Sequence, residues 1–228
     1  MTEETYLGVR LVTAPDHSVW RLGKAKKPLK YNKIAAGDTD RSSGNRWSLV
    51  GHGTLYCASD IEGCFAEALE HFRVDPELRA VIKEDWREPY FMPPGTLPLD
   101  WRTRHTLVRL QPDKKARFLD VDDGATLASL SENLQPELKA LDVDKLTHEP
   151  IQGADRRVTR RIAAWAIAQR TPQQAQLIHG VAYGSRFASR RCWAIFSGCD
   201  LQQVETQPVW PETEGLSTVA AHYGLTIR

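Results

Sequence analysis

Three side chains of complementary chemistry, Arg46, Tyr56 and Glu67, stand ten and eleven residues apart. An arginine offers a charged fork to an anion, a tyrosine offers a ring with a polar tip, and a glutamate can stabilise a developing cation. Each falls in a different backbone regime. Arg46 lies in the loop R-S-S-G-N-R-W-S-L-V-G-H-G, where Gly44, Gly51 and Gly53 let backbone approach a ligand closely. Tyr56 lies in the apolar run Thr54 to Ala58, which reads as a strand. Glu67 lies on a helix, because Ile61, Cys64, Phe65, Ala68, Leu69 and Phe72 repeat at i, i+3, i+4, i+7, i+8 and i+11. Ser59 with Glu62 reads as the capping box that starts it. At about 100° per residue Glu67 projects from the flank of the apolar stripe, and packing alone would leave it solvated. A loop, a strand and a helix meeting at one corner would let all three face a ligand that carries phosphates, a ring and a sugar.

Other elements must position that corner. Ser18 to Leu22 reads as a short strand with Arg21 among apolar neighbours, either paired, since a buried lone guanidinium is costly, or exposed at a sheet edge. Lys24 to Lys33 is a basic, proline-containing stretch that reads as a solvated loop. Asp75 to Trp86 reads as a further helix or as a continuation of the one before it. The proline-rich run from Glu88 to Leu99 excludes regular structure and reads as an excursion, extending to about residue 104, within one domain spanning 1–228 whose core runs from about 19 to 200. Strands are expected at Thr106 to Leu110, Arg117 to Val121, Leu177 to Tyr183 and Cys192 to Phe196. Helices are expected at Ala125 to Leu141, interrupted near Pro136, at Asp155 to Arg170 with Asp155 as cap, and at Thr213 to Tyr223, stopped by Gly224. Arg156, Arg157, Arg160 and Arg161 on the second of these read as a solvated face, with phosphate binding as the alternative. Gly180 to Cys199 is the second place where polar residues cluster between apolar runs, and Ser185 follows Gly184 at a strand end.

Composition excludes several classes. Thirty basic residues against twenty-nine acidic ones give a net charge of +1, which leaves no global footprint for nucleic acid or membrane. The amino terminus, M-T-E-E-T-Y-L-G-V-R, has acids where a secretory signal has bases, and no apolar run approaches the roughly 18 residues of a membrane span. A cytoplasmic location is expected, or export by a route that leaves no such signal. Cys57, Cys64, Cys192 and Cys199 form two C-x6-C pairs in apolar surroundings, which points to free buried thiols and no metal site. There is no G-x-S-x-G, and no histidine has a spacing that marks it as a base, so a serine or cysteine hydrolase is unsupported.

In order and spacing these residues resemble the RES-domain family, named for an Arg, a Glu and a Ser. The family pattern of a strand Arg, a G-G-R-W-N-like loop, a Gly, a strand-end Tyr, a helical Glu and a late G-[I/V]-x-Y-x-S-R is matched by Arg21, Gly44-Asn45-Arg46-Trp47-Ser48, Gly53, Tyr56, Glu67 and Gly180 to Arg186. Asn45 replaces the second loop glycine and Ser48 the usual Asn. The resemblance covers about Val19 to Asp200. It implies an α+β fold like that of the ADP-ribosyltransferases, in which split antiparallel sheets clasp NAD as a substrate rather than a redox carrier.

The site roles follow from the resemblance. Arg21 or Arg46 would hold the diphosphate or the nicotinamide ribose, Tyr56 or Trp47 would stack on the nicotinamide, Glu67 would stabilise the oxocarbenium-like transition state, and Ser185 beside Tyr183 would complete the pocket. The expected reaction is cleavage of the nicotinamide–ribose bond by water or inorganic phosphate, with no metal. Expected partners are NAD, phosphate and a cognate antitoxin protein, with a homodimer left open and neither membrane nor nucleic acid involved. Transfer of ADP-ribose to a macromolecule is the alternative within the enzyme class, and a binding module that has lost catalysis is the alternative outside it.

Overall fold

Runs of Val, Leu, Ile and aromatic residues between polar turns build a mixed α+β fold, the class expected. The computed structural model describes residues 3–38, 40–75, 77–78, 80–81, 92–187 and 190–228. Its strands are β1 (Glu3–Tyr6), β2 (Val9–Val12), β3 (Val19–Lys24), β4 (Thr54–Ala58), β5 (Thr96–Leu97), β6 (His105–Pro112), β7 (Phe118–Asp120), β8 (Gly180–Gly184), β9 (Arg191–Phe196), β10 (Leu201–Pro208) and β11 (Thr226–Ile227). The α-helices are α1 (Ile61–Leu69), α2 (Leu99–Thr103), α3 (Gly124–Asn133), α4 (Gln135–Lys139), α5 (His148–Gln152), α6 (Arg156–Ala168) and α7 (Leu216–Tyr223). No helix among the described residues is long and apolar enough to cross a membrane.

The main sheet has the order β1-β2-β7-β8-β9-β4-β3-β6-β10, and β5 pairs with β11 separately. Neighbours in the main sheet run antiparallel except β7 and β8. The nine strands form one sheet, and its pairing is sparsest at one seam. β3 and β4 face each other only at Trp20 and Ala58, after which the chain turns back and Asn32 takes over the pairing with Thr54. Arg21 fills the gap. It is buried, not at an edge, and it donates from Nε to the Pro28 carbonyl (2.8 Å), from Nη1 to Tyr56 (3.0 Å) and from Nη2 to Lys30 (3.2 Å). The basic loop is exposed at its lysines, as its composition predicts, while two of its carbonyls serve this arginine.

Strand alternation assigns residues to the two faces. On β9, Trp193 and Ile195 join Val19, Leu55, Val108 and Phe118 on one face, while Ala194 and Phe196 join a helical layer built from α3 to α6 on the other. That second face also carries α1 and α7, whose cluster includes Phe65, Leu69, Leu216 and Tyr223. Tyr223 donates to the Ala66 carbonyl at 3.1 Å, which explains why Ala66 is buried beside the predicted stripe. The two helical groups leave a gap between them over β4, β8 and β9.

Several expectations shift in detail. α1 is capped by Asp60, whose carboxylate accepts from Gly63 N at 2.8 Å, one residue later than the predicted Ser59. Ser59 donates to Asp60, and Glu62 pairs with Arg190 instead of closing a capping box. Asp155 caps α6 as expected, and Pro136 opens α4 after a break at Leu134. The outer strands β1, β2 and β10 have no forerunner in the sequence reading. Of the helix expected at Asp75 to Trp86, residues 77, 78, 80 and 81 are helical, while residues 76, 79 and 82–86, like residues 88–91 of the proline-rich run, lie outside the described residues. Within the rest of that run, Thr96 and Leu97 form a regular pair with β11, because Leu97 is buried against α7 and its neighbours.

Gly215 sets how closely α7 meets α1. Its φ is +77°, and a Cβ there would lie 2.6 Å from Glu62 Cγ and 3.2 Å from Glu62 backbone. Gly215→Ala is therefore expected to destabilise the fold by about 1–3 kcal/mol in a urea titration with an unchanged slope.

Candidate active site

The gap between the helical groups is a cavity of about 690 Å³, inside the range of roughly 300–1,000 Å³ typical of small-molecule sites. Register explains its floor. Tyr56 stands opposite Ala194, Ala58 opposite Cys192, and Tyr183 opposite Cys192, so Tyr56, Ala58, Tyr183 and Cys192 share one face of the sheet. α1 forms one wall with Gly63, Cys64, Glu67 and Ala68, and the opposite wall is Ser42, Asn45, Arg46, Gly153, Ala154, Arg156, Gly184 and Arg186. Arg21 borders the cavity through the open seam. The four cysteines are free and buried, and burial pushes their thiols up, Cys57 to about 12.

Arg46 is held from behind. Its carbonyl accepts from Thr159 of α6, and its guanidinium donates to the Ile151 carbonyl and, at 3.4 Å, to that of Gln152. Arg186 donates to the same Gln152 oxygen at 2.8 Å. The arginines at the start of α6, read from sequence as a solvated face, brace the loop that carries Arg46: Arg156 donates to Ser42 O at 3.0 Å, and Arg160 to Asp40 O and Ser43 O at 3.0 and 3.1 Å. Burial, then the nearby Arg186, lowers the Arg46 guanidinium below its ordinary value, and burial does the same to Arg21.

Tyr56 holds the same loop from below. Its hydroxyl accepts from Trp47 N at 3.0 Å and shares a 3.0 Å hydrogen bond with Ser48 Oγ, which in turn accepts from Asn45 N at 3.2 Å. The Ser48 that departs from the family pattern thus closes a local network, and burial raises the Tyr56 hydroxyl above its ordinary value. Glu67 is exposed on the cavity wall and makes no hydrogen bond or ion pair among the described residues.

Glu67, Arg46, Tyr56, Tyr183 and Arg21 therefore meet at one cavity. Two expected members do not. Trp47 is fully buried among the residues that pack α3 to α6 on the sheet, its ring tilted at 5.8 Å from that of Tyr183, so it offers a ligand no exposed face and packs beside the floor instead. Ser185 is not among the lining residues, because its Oγ accepts from Phe187 N at 3.1 Å within its own turn. Arg156, read from sequence as part of a solvated face with phosphate binding as the alternative, and Arg186, matched only as the end of the late motif, both line the wall. The signal for Arg186 was its seat in the late Y-x-S-R motif, and that for Arg156 its position as first residue after a helix cap.

Two measurements check this geometry. Tyr56→Phe keeps the ring but strands the Trp47 amide and Ser48 hydroxyl, and about 1–3 kcal/mol of stability should be lost in denaturant titration. Asp155 accepts from Arg157 and faces Arg41, and the Arg157 hydrogen bond is foremost in holding it down at about 2. A depressed carboxyl stabilises above its unfolded value near 3.9 and ceases to do so as pH falls through its folded value. The stability difference between the parent and Asp155→Asn should thus be constant above about pH 4 and shrink towards pH 2.

The family model described as RES domain matches residues 18–214. Among solved structures, the chain is similar to one in the crystal structure of the M. tuberculosis MbcT–MbcA toxin–antitoxin complex, at 13% identity and a TM-score of 0.49, over 90% of this chain and 89% of that one. No curated protein matches in sequence. With the family model covering most of its length, the chain belongs to the RES-domain family.

Proposed function

We propose that the protein is an NAD-consuming, toxin-like enzyme that cleaves the nicotinamide–ribose bond, passes the ADP-ribosyl group to water or inorganic phosphate, and is restrained by a cognate antitoxin protein. The observation that carries this reading is Glu67, a carboxylate without a bonded partner among the described residues, lining a cavity whose other charged lining residues are arginines. Membership of the RES-domain family supports the toxin-like role and the antitoxin.

The chemistry suits the arrangement. Arg46 and Arg186 offer forked donors to the diphosphate. The rings of Tyr56 and Tyr183 on the sheet floor offer apolar surface to the nicotinamide. The C1–N bond breaks with its electron pair passing to the pyridinium nitrogen, so neutral nicotinamide leaves and positive charge develops at the ribose. Glu67, accepting from a ribose hydroxyl, stabilises that charge more in the transition state than in the ground state. The acceptor oxygen then bonds C1 and gives up its proton to solvent.

Purified protein should release nicotinamide from NAD, and Glu67→Gln, which keeps shape and removes charge, should lower that rate by at least about 100-fold. Phosphate dependence of the rate would identify the acceptor. Full activity in the variant, or no NAD loss with or without phosphate, would refute the proposal.

A further inference from the structure

The charge lining the cavity exceeds what the diphosphate of NAD requires. Its lining residues include four arginines, Arg21, Arg46, Arg156 and Arg186, and one carboxylate, Glu67. Arg21 is committed to three carbonyls in the seam. The other three stand together on the wall opposite α1. Arg46 and Arg186 share the Gln152 oxygen, and after burial the charges of Arg186 and Arg156 are what oppose protonation of Arg46. Like charges gathered this closely repel unless an anion joins them. Each guanidinium has five N–H donors, and the carbonyl bonds of Arg46, Arg156 and Arg186 leave most of them unused among the described residues.

NAD brings two phosphodiester charges and offsets one with its pyridinium cation. Two forks satisfy that diphosphate, which leaves Arg156. It is the first residue of α6, and its guanidinium makes one hydrogen bond among the described residues, to Ser42 O. A phosphomonoester there would carry close to two negative charges at neutral pH.

Building on the NAD-cleaving reading, we propose that Arg156 binds a third phosphate carried by the substrate itself, the monoester on the adenosine ribose of NADP, so that the enzyme accepts NADP and prefers it to NAD. Free inorganic phosphate offers the same chemistry, so the test must separate the two sources.

The test is calorimetric titration of NAD and NADP, at fixed ionic strength, into Glu67→Gln protein, expected to cleave its nucleotide at least about 100-fold more slowly, and into the same protein with Arg156→Gln or Arg156→Lys added. NADP should bind at least about tenfold more tightly than NAD, Arg156→Gln should weaken NADP at least about tenfold more than it weakens NAD, and Arg156→Lys should retain part of the preference. Equal binding of the two nucleotides would overturn the proposal, as would equal weakening of both by Arg156→Gln, which would mark Arg156 as a brace for Ser42 alone. If inorganic phosphate tightens NAD binding through Arg156 and NADP shows no advantage, the site belongs to free phosphate and the proposal fails. NAD binding without NADP preference sinks this inference alone, whereas binding of neither nucleotide sinks the NAD reading with it.

Discussion

The interruption between β3 and β4 borders the cavity, and the guanidinium of Arg21 is what makes that interruption tolerable. An opened seam in a sheet exposes carbonyls that need donors, and a buried arginine needs acceptors; each requirement answers the other. Three bonds from one planar group join β3, β4 and the loop at residues 28–30, where a ladder between β3 and β4 would otherwise run. The arrangement assigns Arg21 first to architecture, and to a ligand only along the side that borders the cavity.

From that seam the other parts follow in layers. Register places Tyr56, Ala58, Tyr183 and Cys192 on one face, the helical groups part above them, and the loop carrying Arg46 is gripped from three directions by the Tyr56 hydroxyl, by Thr159 and by the carbonyls at the end of α5. A functional loop held by a rigid scaffold is pre-organised, which spares a ligand the entropy of ordering it. The Arg190 bridge to Asp60 and Glu62 then ties the turn after β8 to the start of α1, linking the two walls.

Much of this was legible in the chain because local signals and tertiary demands agree. Thr54 to Ala58 is a strand to the residue, Asp155 caps its helix, and Gly224 ends α7 with φ +62°. The misses have physical causes. β10 is exposed along most of its length and has no alternation to read, and its register is broken by a bulge after Gln203. Asp60 won the cap over Ser59 because its carboxylate also serves Arg190. Trp47, an aromatic in a glycine-rich loop, read as a ligand platform, yet the loop folds it inward against Tyr183. Arg156 and Arg160 read as a solvated face because their acceptors, the carbonyls at 40, 42 and 43, are more than 100 residues away in sequence.

The central claim is that this one cavity holds a dinucleotide with its nicotinamide ribose at Glu67 and its phosphates on the arginine wall. A crystal structure of Glu67→Gln protein grown with NAD reads that placement directly. The account predicts the nicotinamide ribose within hydrogen-bond reach of residue 67, the diphosphate on Arg46 and Arg186, and Trp47 still buried against Tyr183. A nucleotide bound outside the cavity, or one inside it with its phosphates turned away from both arginines, would contradict the account.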